Sequence, residues 1–160
     1  MREMSSYEAE FEALIEHLKV VIEDIETIHS AREMIYRLKL DILDLLRIIM
    51  NHADVESIEL ASSVYSNIPE VKGKDVESVS LDRSGVLVVR KKGGEGHKAG
   101  ISSFHEVKAL STENFITIVN TVIPVLRKNI SNQRKLHEKQ LEALQTIKES
   151  LAGLEKRRKL

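Results

Sequence analysis

Six histidines, His17, His29, His52, His97, His105 and His137, could in principle bind a metal or move a proton, and their spacing decides which. None forms an HExxH pair. The chain has no cysteine, so thiolate catalysis, disulfides and Cys-based zinc sites are excluded. The nearest approach to a ligand set is His52-Ala53-Asp54-Val55-Glu56. A helix cap followed by an exposed turn explains that group better than a metal does. His137 stands at a core-like position between Gln133 and Gln140, which predicts a polar register-setting residue in a helical bundle rather than a catalytic base. No metal and no cofactor is expected.

Gly93-Gly94-Glu95-Gly96-His97-Lys98-Ala99-Gly100 superficially has the composition of a phosphate loop. It lacks the GK[ST] ending, and Gly94-x-Gly96 has no third glycine where a dinucleotide fingerprint requires one. The expectation is a flexible, exposed hairpin loop. Serines 62, 63, 78, 80, 102 and 103 sit in no Gly-x-Ser-x-Gly elbow and have no spaced His/Asp company. No catalytic signature remains, and the chain is expected not to be an enzyme.

Basic clusters are the one set with functional content. Arg90, Lys91, Lys92 and Lys98 flank the glycine loop, and Lys156, Arg157, Arg158 and Lys159 lie near the C-terminal end, with Arg127-Lys128 and Arg134-Lys135 between. They could contact phosphates, which makes a nucleic-acid-associated accessory protein the alternative reading. A net charge of −1 and an aromatic content of 4% weigh against it, because single strands are held by cationic grooves and stacking rings.

The elements that must carry these residues are mainly helical. Among 160 residues, 31% are charged and only nine are glycine or proline (7 Gly and 2 Pro), which suits long solvent-facing helices and disfavours an all-β fold. Met4, Tyr7, Phe11, Leu14, Leu18, Val21, Ile25 and Ile28 follow alternating gaps of three and four, an a/d heptad with Glu and Asp on the other face. Ser5 or Ser6 is the expected cap. After Ile28 the phase changes. A new row, Ala31, Ile35, Leu38, Ile42, Leu45 and Ile49, has Met34, Leu40, Leu43, Leu46 and Ile48 beside it. Two successive gaps of three mark either a stammer in one helix or a short break. This second stretch is apolar round much of its circumference and is expected in a globular core. Residues 54–66 suggest a shorter helix capped by Asn51 or Asp54 and stopped before Pro69.

The middle has strand character. Asp75 to Leu81 alternates, Asp82-Arg83-Ser84-Gly85 supplies a turn, and Val86 to Lys91 is a β-branched run, so a β-hairpin is predicted near 75–92. Residues 101–108 suggest a third strand with less regular alternation. Ser111 is the expected N-cap of the last helix, with Leu110 and Phe115 spaced as a hydrophobic staple. Pro124 should kink that helix.

Charge is strongly polarised along the chain. Residues 1–60 hold 6 Lys/Arg against 14 Asp/Glu, net −8, and residues 121–160 hold 10 against 4, net +6. The expected architecture is α+β and mainly helical. Residues 1–30 and 131–160 would form an antiparallel coiled-coil stalk, and 31–130 an α+β head containing the hairpin. Candidate oligomer-interface residues are Phe11, Leu14, Leu18, Val21, Ile25, Leu144, Ile147 and Leu151. The expected assembly is a homo-oligomer, most simply a dimer, with a second protein as a further partner. There is no signal-peptide pattern and no span of about 18 apolar residues, so a cytoplasmic location away from membranes is expected.

Overall fold

The computed structural model describes residues 2–71, 73, 75–93 and 100–159. The glycine loop, with Lys98 and His97, falls at 94–99, outside the described residues. The fold is α+β: two long helices flank an antiparallel sheet. Helix α1 spans Arg2–His52, β1 Ser57–Leu60, α2 Ser62–Tyr65, β2 Val76–Asp82, β3 Val86–Lys91, β4 Gly100–Glu106 and α3 Thr112–Lys159, with a short 3-10 turn at Val107–Ala109. The chain divides into two compact units, Met1–Ile42 and Leu43–Leu160.

Helix α1 runs unbroken through Ile28–Ala31, so the phase change is a stammer and not a break. It starts before Ser5 and Ser6, which therefore lie inside it rather than capping it. Its C-terminal end is a Schellman motif. Val55 N–H donates to the Met50 carbonyl at 2.8 Å, Asp54 N–H donates to Asn51 at 3.2 Å, and Asp54 takes φ 55°. Met50 and Val55, the pair that usually accompanies this motif, are both buried. Asn51 and Asp54 thus end α1 instead of opening a helix at 54–66. The span holds strand β1 and the single turn α2.

The predicted hairpin is present as β2 and β3, and the irregular third strand is β4. Together with β1 they form a four-stranded meander in the order β1-β2-β3-β4. Asp82 organises the β2–β3 turn. Its Oδ1 accepts from Ser84 N–H and Val86 N–H, both at 3.1 Å, and from the Ser84 hydroxyl. Gly85 takes φ 82°, a region open to glycine, with Leu43 against the space a side chain would enter. A bulge in β4 opposite Val89/Arg90 explains why its alternation is broken.

One sheet face is packed. Ile58, Leu60, Val79, Leu81, Leu87 and Val89 are buried, as are Phe115, Ile118, Val122 and Leu126 of α3, Leu46 and Met50 of α1, Ala53 just after it, and Ile68 and Val71 between α2 and β2. Ser111 caps α3 as expected: its Oγ accepts from Asn114 N–H at 3.2 Å, with Leu110 and Phe115 buried on either side of the cap. The helix continues through Pro124. Gln133 Nε2 donates to the carbonyl of Ala53, tying α3 to the end of α1.

The expectation that 31–50 is core holds for one row only. Leu46 and Met50 are buried, but Met34, Ile35, Leu38, Leu45, Ile48 and Ile49 are exposed. The buried row lies one residue beyond the a/d row read from the sequence.

Candidate functional site

Exposed apolar rows run along the two long helices. On α1, Phe11 is 63% exposed, and Leu14, Leu18, Val21 and Ile25 are also open. On α3, Leu144, Ile147 and Leu151 are exposed to a similar degree. Ordinary exposed leucines occur singly; rows at heptad spacing do not. The α3 row is longer than the sequence pattern alone suggested. Ile116, Ile123, Ile130, His137, Leu144 and Leu151 recur every seven residues, and all six are exposed. The buried row Phe115, Ile118, Val122 and Leu126 lies beside it on the same helix. Density of apolar residues at 115–126 concealed these two rows, one for the sheet and one left open.

Basic residues stand in two places. Arg90, Lys91 and Lys92 are exposed at the end of β3, and among the described residues none of them forms an ion pair. Lys156, Arg157 and Arg158 are exposed in the last turns of α3, where the helix dipole favours cations, and Lys159 is its last residue. Lys98 lies outside the described residues.

The His52–Glu56 group is pulled apart by local structure. His52 ends α1, Asp54 holds the left-handed cap position, and Glu56 lies 3.5 Å from Arg83. Arg83 also donates to Asn51 Oδ1 at 2.8 Å, so these side chains fasten the hairpin turn to the helix end. Among the described residues no three His, Asp or Glu side chains gather as a metal site.

Strand geometry reveals a pairing the sequence did not. Ser103 and His105, two apart on β4, share a sheet face, with Oγ and Nε2 3.0 Å apart. They edge a cleft of about 270 Å³ with Val71, Val76, Val89 and Lys91. A carboxylate, Glu70, lines the same cleft. On the opposite sheet face, Phe104 and Ile101 are exposed beside Arg90 and Ser80.

Taken together, the fold and its open surfaces define an α+β chain with a four-stranded antiparallel sheet and two long helices that carry exposed apolar rows. Among the described residues no helix is long and apolar enough to cross a membrane. No family model matches the chain, and no curated protein or solved structure matches it.

Proposed function

We propose that this protein is a non-enzymatic oligomeric scaffold or adaptor, whose long helices assemble copies of the chain and whose head binds a macromolecule. The observation that carries this reading is the exposure of Phe11, Leu14, Leu18, Val21 and Ile25 on α1 and of Leu144, Ile147 and Leu151 on α3. Fully burying a Leu, Ile or Phe side chain is worth about 1.5–3 kcal/mol, so covering all eight in each of two chains supplies a favourable contribution large enough to offset an association cost of about 4–15 kcal/mol. The coiled-coil pairing is antiparallel, joining the acidic first segment of the chain to the basic last one. Exposed ion pairs contribute only about 0–1 kcal/mol each, so charge sets which helices meet while the apolar rows supply the stability. A C2 dimer closing a four-helix bundle is the simplest such assembly.

The test is solution mass by light scattering at micromolar concentration. A dimer or larger species is expected, and Leu14→Asp with Leu18→Asp should lower its mass without loss of the head's cooperative melting. A strictly monomeric wild type overturns the reading.

A further inference from the structure

The sheet ends on β4, and the hydrogen-bond phase of its ladder shows which backbone groups are left over. Val107 N–H donates to the Gly85 carbonyl at 3.0 Å, one step beyond the Val86–Glu106 pair. Bonded and non-bonded pairs alternate along an antiparallel ladder, so His105 and Ser103 are the residues that bond to Leu87 and Val89 of β3. Arg83 N–H, donating to the Glu56 carbonyl on the far side of the sheet, fixes the same phase through β1 and β2. Phe104 and Glu106 therefore turn their N–H and C=O groups away from β3. Among the described residues no turn or loop donates to them or accepts from them. Their side chains share the open sheet face, where Phe104 is 64% exposed and Glu106 is exposed as well.

Sheets commonly blunt such an edge with proline, lysine or a bulge. Residues 100–106 contain no proline, lysine or arginine, and the bulge falls opposite Val89/Arg90, which leaves 103–106 regular. The edge can accept a strand, and charge selects which one. Beside its Gly100 end, Arg90, Lys91 and Lys92 are exposed and, among the described residues, form no ion pair. Arg90 shares a shallow cleft on the open face with Ile101 and Phe104. At the other end stands Glu106, whose ion contact is Lys108 at 3.8 Å. An antiparallel copy of β4 brings the anionic end of each edge toward the cationic end of the other. A parallel copy would set cations against cations.

We infer that β4 pairs antiparallel with β4 of a second copy of this chain, Phe104 of each opposite Glu106 of the other. Each such pair exchanges both of its N–H···O bonds, and Glu106 comes beside Arg90 of the second copy. This rests on the reading of the protein as self-assembling, and it adds a contact in the sheet that the helical rows do not make.

Amide hydrogen exchange on the full-length chain, read residue by residue by NMR, tests this. Ser57 and Glu59, which the same phase leaves at the free edge of β1, are the reference. In the wild type the Phe104 and Glu106 amides are expected to exchange about tenfold more slowly than that reference, or slower still. Phe104→Pro removes an outward N–H and no bond to β3, so it should release the Glu106 amide while the strand, as an edge, tolerates the ring. Arg90→Glu and Glu106→Arg each set like charges across the seam and should release both amides. The two substitutions in one chain should restore protection. Both positions are exposed, so far-UV circular dichroism should match the wild type. Protection that extends to Glu59 would identify β1 of the next copy as the occupant. That result overturns the inference, as does protection that survives both single charge variants, or one that the double variant fails to restore. Free exchange at Phe104 and Glu106 in an oligomeric wild type overturns it too and leaves the helical assembly standing. A monomeric wild type would instead remove the self-assembly reading and this pairing with it, so the two failures are told apart.

Discussion

Asp54 shows how one residue's backbone can decide an element. A left-handed conformation costs an L-residue about 1–2 kcal/mol relative to its usual regions, less for Asp or Asn than for other side chains, and glycine is the usual solution at this cap position. Here φ is 55°, the Schellman hydrogen bonds form around it, and the chain is turned out of α1 into β1. Replacing Asp54 by Gly should therefore raise the unfolding free energy of the head by about 1 kcal/mol, and Asp54→Val should lower it by more than that, both measured by denaturant unfolding. Asp82 works through its side chain. Its carboxylate accepts from two backbone N–H groups and a hydroxyl within the β2–β3 turn. Asp82→Ala leaves those donors to solvent or, at half-buried Val86, without a partner. A loss of about 1–2 kcal/mol is expected, whereas Asp82→Asn, which keeps an acceptor oxygen, should lose less than half of that.

At the scale of elements, α1 and α3 each present adjacent apolar rows with opposite fates. On α3, Ile118 is fully buried while Ile123, five residues on, is 41% exposed. Ile118→Ala should cost about 2–4 kcal/mol of head stability by removing packed volume. Ile123→Ala should leave thermal unfolding of the dilute protein within about 0.5 kcal/mol, because it belongs to the open heptad row. This contrast also shows which parts of the fold were legible in the sequence. Heptad spacing identified the first segment as helical while leaving open whether 5–50 is one helix or two, Ser111 identified the start of α3, and Asp82-Arg83-Ser84-Gly85 identified the hairpin, since each is a local signal with a local physical cause. Strand β1 was hidden because only four residues, Ser57–Leu60, carry the alternation, and because Asp54 rather than glycine terminates the helix before it. In 31–50, apolar density predicted burial but not which neighbour supplies it. A row that faces a sheet of the same chain and a row left open have the same residue types. The Ser103–His105 contact was invisible for a different reason: a spacing of two has meaning only once the segment is known to be a strand.

For the whole molecule, the position of the buried residues separates folding from assembly. Every buried apolar side chain among the described residues falls between Leu46 and Leu126, although the helices reach from Arg2 to Lys159. The terminal segments therefore contribute little apolar burial to the fold of a single chain. A helix of 51 residues with its apolar row in water lacks the tertiary packing that stabilises most protein helices. Deleting residues 1–29 makes this measurable. Among the described residues no buried side chain is removed, so the cooperative melting of the remainder should persist with a midpoint within a few degrees of the full chain at equal low concentration. The mass, by contrast, should fall, because the acidic row that seeks a basic partner has gone. If the deletion instead abolishes the head's melting transition, residues 1–29 are part of the folding unit and the division of labour drawn from the burial pattern is wrong. If melting and mass are both unchanged, the acidic row makes no assembly contact.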